Sequence, residues 1–296
     1  MLDNEETIKN KLEEWENPSV NSVHLIARNL NTPVKVLEKL AIDSNALVNI
    51  DVASNLSTPL SVLKMMLEYS YEDDSSKEYV LRNSNISIEL LEKYSTNEDE
   101  FLRAAVASNP KTPIKILLLL SMDEDEMVRK DVAENLNTSI EMLLILSTDE
   151  DDSVRYSVAD NPNTSEIILE KLSKDKDSLV RAAVAGNTTT SAEVIEELLS
   201  DEDALVRASI VENPYVVEEI LEYLSKDKDD TVRRSVAEHK STWVEVLEYL
   251  SHDTSNSVRS EVAQNPMTSP DTLKVLFKDL NPLIREQAFL NPNFTK

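Results

Sequence analysis

The stretch from Asn109 to Glu134, NPKTPIKILLLLSMDEDEMVRKDVAE, holds one full unit of a pattern that runs along almost the whole chain. Asn109-Pro110 forces extended backbone, because the proline ring disfavours the α region at the residue before it. Thr112 offers an N-cap oxygen, and Pro113 stands at the first helical position, where a missing N–H costs nothing. Ile116, Leu117 and Leu120 follow at helical spacing as the buried stripe of a first helix. The polar run from Asp123 to Glu126 ends that helix and begins the next. Val128, Val132 and Ala133 give a shorter second helix its buried face, and Asn135 closes the unit.

That closing asparagine sets the period. It recurs at Asn29, Asn55, Asn83, Asn109, Asn135, Asn161, Asn187, Asn213, Asn265 and Asn291, in steps of 26 apart from one of 28 and one of 52. His239 occupies the skipped position, so the register is kept there. A fixed period of this length predicts a solenoid, in which each small unit buries its apolar stripe against its neighbours. The fold class expected is an all-α solenoid of about ten two-helix repeats. Gly186 is the single glycine of 296 residues, which fits helices joined by tight polar turns rather than by left-handed ones. Ile8, Leu12 and Trp15 form an apolar stripe in a charged segment, so residues 1–22 read as an amphipathic capping helix and 23–296 as one repeat domain. Other repeats carry a capping box, as in Thr138 with Glu141, Thr190 with Glu193 and Thr242 with Glu245.

Two polar ladders accompany the period. Arginine stands six residues before each closing position from Asn109 onward, at Arg103, Arg129, Arg155, Arg181, Arg207, Arg233, Arg259 and Arg285. Aspartates recur in the turn between the helices, such as Asp123 and Asp125 or Asp227 and Asp229. Asp125 and Arg129 are spaced i, i+4, which predicts a pair on one helix face. These residues are expected to be structural, the aspartates capping the second helix and holding the arginines within or between repeats.

Composition excludes several chemistries. Without cysteine there are no disulfides and no thiolate metal sites. His24, His239 and His252 are widely separated, and no HExxH, GxSxG or phosphate-cradling glycine loop occurs. No enzyme activity, catalytic residue, metal or cofactor is therefore expected. The DxDxx turns lack the glycine that a calcium loop needs. A net charge of −26 repels phosphate backbones and anionic membranes, so nucleic acid is a disfavoured partner, even for an arginine ladder. No apolar run approaches the ~20 residues of a membrane span, and the N-terminus has no secretory h-region, so a soluble cytoplasmic protein is expected.

The string VRxxVAxNPxTP resembles the bacterial leucine-rich repeat variant family, and here Leu102 to Pro113, LRAAVASNPKTP, carries it with Leu in place of the first Val. The DxDxxVRxxVA part also resembles HEAT and armadillo-type repeats. The likeness covers about residues 23–296, with the same positions agreeing in repeat after repeat. It implies an α-solenoid with right-handed superhelical twist, each repeat pairing an α-helix with a shorter, partly 3-10 segment. By the same likeness the arginine-bearing segments would line the concave side and the Leu-rich helices the convex side. Members of the family can carry a cysteine-rich iron–sulfur segment, which a chain without cysteine cannot. The family implies no shared catalytic activity, so the likeness supports a scaffold and stops there.

Function in a repeat protein is best sought where a repeat breaks its neighbours' rule. At the ninth and tenth positions after the closing Asn most repeats place at least one polar residue, such as Glu38-Lys39 or Glu170-Lys171, but two consecutive repeats place Leu118-Leu119 and Leu144-Ile145. With Leu117, Leu120, Leu143 and Leu146 filling the core, those four are expected to face solvent and to dock a partner or a second copy. A second departure puts Tyr215-Val216-Val217 in place of x-Thr-Pro and Trp243 at a proline position, with Tyr223 and Tyr249 at matching places in consecutive helices. Those aromatics are candidate binding anchors. A third lengthens one repeat by two residues around Tyr69–Asp74, which predicts a kink there. Together these readings point to a non-enzymatic scaffold for protein–protein interaction. The alternative is an acidic solenoid that engages a basic protein or imitates nucleic acid electrostatically.

Overall fold

The computed structural model describes residues 20–69 and 76–295. These residues form α-helices and one 3-10 turn, Ile210–Glu212, with no strand among them. Packing divides the chain into two bodies, one ending at Leu146 and one starting at Ser147. Within each body the second helices of successive repeats pack side by side: Glu100–Ser108 against Glu126–Glu134 in the first, Ser178–Gly186 against Ala204–Ser209 in the second. The predicted core is in place, with Ile116, Leu117, Leu120, Val128, Val132 and Ala133 all buried. The expected capping helix over residues 1–22 falls mostly outside the described residues, as does most of the segment around Tyr69–Asp74.

Two local expectations are corrected. The Leu-rich first helix is the shorter one, 7 residues from Ile114 to Leu120, whereas Glu126–Glu134 has 9, and both are α-helical. Nor does Thr112 cap the helix that follows it. Its hydroxyl donates backward to the Val106 carbonyl at 2.5 Å, and the extended Pro113 opens the helix. Thr138, Thr190 and Thr242 do the same toward Val132, Val184 and Val236, so they close the helix behind them rather than form capping boxes. The last carbonyls of a helix lack intrahelical donors, and a buried threonine satisfies one of them.

The closing asparagine is a staple between repeats. Asn109 Nδ2 donates to the carbonyls of Leu81 (2.5 Å) and Asn83 (3.2 Å) in the repeat before, while its Oδ1 accepts from the Lys111 N–H at 2.8 Å. Every hydrogen-bonding group of the amide is used, which explains why the same residue is kept at this register position. The lengthened repeat leaves the staple intact, since Asn83 still reaches the carbonyls of Ala53 and Asn55. Helices end on these asparagines in extended backbone, as at Asn135 with φ −70° and ψ 125°, and no described residue has positive φ. The scarcity of glycine follows from that.

His239 breaks the staple. Its Nδ1 is buried without a hydrogen-bond partner, and an imidazole cannot donate twice to the repeat before it. Replacing His239 with Asn is expected to raise the stability of the second body by about 1–2 kcal/mol, the usual worth of buried hydrogen bonds regained. Urea unfolding midpoints of the two proteins check this. A lower midpoint for the variant would mean that the imidazole packs that slot better than an amide bonds it.

Candidate docking surface

Six of the eight ladder arginines are committed to carboxylates of the fold. Arg207 is 4% exposed; its Nε and Nη2 donate to both carboxylate oxygens of Asp227 at 2.7 and 2.8 Å. Its Nη1 donates to the backbone carbonyls of Asp201 and Glu202. The same fork joins Arg155 to Asp175, Arg181 to Asp201, Arg233 to Asp253 and Arg259 to Asp279, and in the first body Arg103 to Asp123. Arg129 and Arg285 hold the carbonyls of the turns before them. The partner is thus the first aspartate of the next repeat's turn, twenty residues on, and not the i−4 aspartate. Asp125 instead caps the second helix, accepting from the N–H groups of Met127 and Val128. Burial alone would push the Asp227 carboxyl up. The hydrogen bonds from Arg207 and the Asp229 N–H outweigh it and hold the carboxyl below the ordinary aspartate range. A guanidinium committed in this way cannot cradle a phosphate.

Two other buried carboxylates are paired. Asp131 is buried, which pushes its carboxyl up, but Arg82 reaches across the intervening repeat to pair with it at 3.1 Å. Asp51 is likewise held by His24 at 2.5 Å and Arg28 at 2.6 Å. Among the described residues no group of histidine and carboxylate side chains could hold a metal ion. No described helix is long and apolar enough to cross a membrane.

The four aliphatic residues of the first departure lie on the surface. Leu118 and Leu119 are 46% and 48% exposed, Leu144 and Ile145 50% and 53%. They share the outer face of Ile114–Leu120 and Ile140–Leu146, whose inner faces bury Ile116, Leu117, Leu120, Met142, Leu143 and Leu146. The surface is wider than the pairs alone suggested. Ile114 and Met122 flank Leu118 at i−4 and i+4, Ile140 stands at i−4 from Leu144, and all three are exposed. Sequence reading passed over Ile114 and Ile140 because most repeats place an apolar residue or proline at that position. Reading the i, i+4 row along each helix would have found them. One edge of this surface carries an ion pair from Lys115 to Glu92 in the neighbouring repeat. Another carries Glu141, whose carboxyl is held below its ordinary range by the Ser139 hydroxyl and its own backbone N–H.

The aromatic group of the second departure is divided. Tyr215, Tyr223 and Tyr249 are each more than half exposed, whereas Trp243 is half-buried at the N-cap of Val244–Leu250. Trp243 and Tyr249 stand at opposite ends of that helix, roughly 9 Å apart along its axis at ~1.5 Å per residue. Tyr223 and Tyr249 line consecutive grooves that share Lys226 and Lys228; Tyr215 and Trp243 line neither. The structure therefore brings two tyrosines into one row and leaves the other two aromatics elsewhere.

Among solved structures the chain is similar to one described as a leucine-rich repeat variant with a novel repetitive protein structural motif. The identity is 28%, the match covers 75% of this chain and 87% of that one, and the TM-score is 0.54. The chain has the fold of a leucine-rich repeat variant. An engineered protein is also similar, at 18% identity over 91% of this chain and 93% of that one, with a TM-score of 0.36. So is importin beta, at 13% identity over 92% of this chain and 36% of that one, with a TM-score of 0.23. Neither of these carries weight beside the first. No protein-family model matches the chain, and no curated protein matches it in sequence. A leucine-rich repeat variant made of short paired helices presents a row of equivalent outer positions, one set per repeat. In this chain the set turns apolar in two consecutive repeats.

Proposed function

We propose that this leucine-rich repeat variant is a non-enzymatic scaffold that docks a protein partner on the apolar outer face formed by Leu118, Leu119, Leu144 and Ile145. One observation carries the reading: two consecutive repeats expose aliphatic side chains at positions where the others place at least one polar residue. Each of the four leaves about 1 kcal/mol of burial unrealised, half of what full burial of such a side chain returns. Grouped on adjacent repeats they make the kind of patch that a partner covers. Arginines forked onto the next repeat's aspartate tie the repeats together, in keeping with a scaffold. The acidic surface supports the second reading, an electrostatic grip on a basic protein, because a charge of −26 attracts cationic surfaces over a long range.

Affinity capture from a lysate of the source organism, at low and high salt, separates the two. The baits are the wild type and a Leu118→Glu/Leu144→Glu variant. A partner that resists high salt and is lost from the variant is the expected result. A partner kept by the variant and stripped by salt moves the binding to the acidic surface, since exposed charges are screened beyond about 8 Å at physiological ionic strength.

A further inference from the structure

We infer that the apolar face takes a cationic amphipathic helix, an inference that rests on the docking reading above and names the partner's chemistry. The face has the form that a helix fits. Ile114 and Leu118 on one helix, and Ile140 and Leu144 on the next, stand at i, i+4 and make two short ridges, with Leu119 and Ile145 beside them. Apolar i, i+4 rows are what the i, i+3, i+4 stripe of a third helix packs against. Met122, at the end of the first ridge, is an adaptable contact for such a stripe.

The charge of the partner follows from which carboxylates remain open. Asp123 is held by Arg103, and Asp125 is spent as a helix cap. Glu124 and Glu126 in the same turn are exposed, and Glu141 at the other end of the face is exposed although it accepts from the Ser139 hydroxyl. The basic residues near the face are fewer and partly engaged, with Lys115 paired to Glu92. A helix with Lys or Arg bordering its apolar stripe meets this rim with opposite charge. A second copy of this chain meets it with another net charge of −26, which opposes self-docking at any distance inside the screening length.

The test uses fluorescein-labelled synthetic peptides of leucine and lysine. One is patterned as an amphipathic helix, and the other has the same composition scrambled to remove the stripe. Fluorescence anisotropy at physiological salt should show the amphipathic peptide binding the wild-type protein at least tenfold more tightly than the scrambled one. A Leu118→Ser/Leu144→Ser variant, which leaves charge unchanged, should lose that tenfold preference while keeping its circular dichroism spectrum and melting temperature. Glu124→Gln/Glu126→Gln should weaken the amphipathic peptide severalfold and lessen its salt dependence. Equal binding of the two peptides, or a preference untouched by the serine variant, overturns the inference. So does sedimentation showing a wild-type dimer that the serine variant abolishes, because the occupant is then a second copy. A captured partner lost from the Leu118→Glu/Leu144→Glu bait, with no preference between the peptides, leaves the docking reading standing and removes only the cationic helix.

Discussion

Replacing Arg207 with Met is expected to cost about 3 kcal/mol of stability, the low end of the range for breaking a buried ion pair, because this ladder runs close to the turns. Methionine keeps much of the aliphatic stem, so what is lost is the fork. Asp227 is left with the Asp229 N–H at 2.8 Å, and the Asp201 and Glu202 carbonyls lose their donor. The damage propagates because the ladder is a chain. Asp201, whose carbonyl Arg207 holds, is also the carboxylate that Arg181 grips at 2.7 and 2.9 Å. Urea unfolding of wild type and variant measures the loss, and a difference below about 1 kcal/mol would class the ladder with surface ion pairs. Adding Asp227→Leu should return part of the stability, since the uncompensated buried charge is then gone.

Acid supplies an independent check with a definite sign. Asp227 is held below its ordinary pKa in the folded state, so its contribution is complete above the unfolded value of about 3.9 and fades as pH falls through the folded value. The gap between wild type and Arg207→Met should therefore narrow as pH falls, and the narrowing should begin above about pH 4, because Asp227 left buried without its arginine takes up a proton before the wild-type carboxyl does. The wild type should itself lose stability below about pH 4, because Asp175, Asp201, Asp253 and Asp279 are shifted in the same direction. A gap that widens on acidification would contradict the assignment.

The residues that decide the fold were legible because they obey short-range rules. Ile116, Leu117 and Leu120 announce a helix face by spacing alone, and the period fixes which faces stack. What the sequence hid was long-range pairing. Asp125 and Asp123 are equally plausible partners for an arginine until the stack sets the next repeat's turn beside it, and only then does the twenty-residue span beat i, i+4. Thr112 misled for a related reason. Threonine before a helix reads as its N-cap, yet here its hydroxyl turns back to the Val106 carbonyl, the same oxygen that the Asn109 N–H reaches. The helix lengths were inverted because Asp152–Asp160 and its equivalents start on the charged turn residues, which read as loop. The Leu118–Ile145 face was visible as a departure between repeats, while its extent was not, because Ile114 and Ile140 follow the common pattern. Trp243 and Tyr249 looked like one group in sequence, and a single helix length separates them.

Asn187 tests whether the staple acts through its donors or through its shape. Its Nδ2 donates to the carbonyls of Ala159 (2.6 Å) and Asn161 (3.1 Å), and its Oδ1 accepts from the Thr189 N–H at 2.8 Å. Asn187→Ala removes all three bonds and strands the Ala159 carbonyl inside the stack, which should cost about 3 kcal/mol. Asn187→Asp keeps the shape and the acceptor but sets a carboxylate against two carbonyl oxygens. At neutral pH it should be at least as damaging as alanine, because the amide donors are gone and a charge is buried without a partner. Burial and the facing oxygens raise that carboxyl, so the aspartate variant should regain stability as pH falls, when a proton restores one donor. The alanine variant has no such group to titrate and should show no such recovery. If the aspartate variant instead matches wild type at neutral pH, shape and the single bond to Thr189 are enough. The period would then be kept by packing, and the tolerance of His239 would be the rule rather than a local loss.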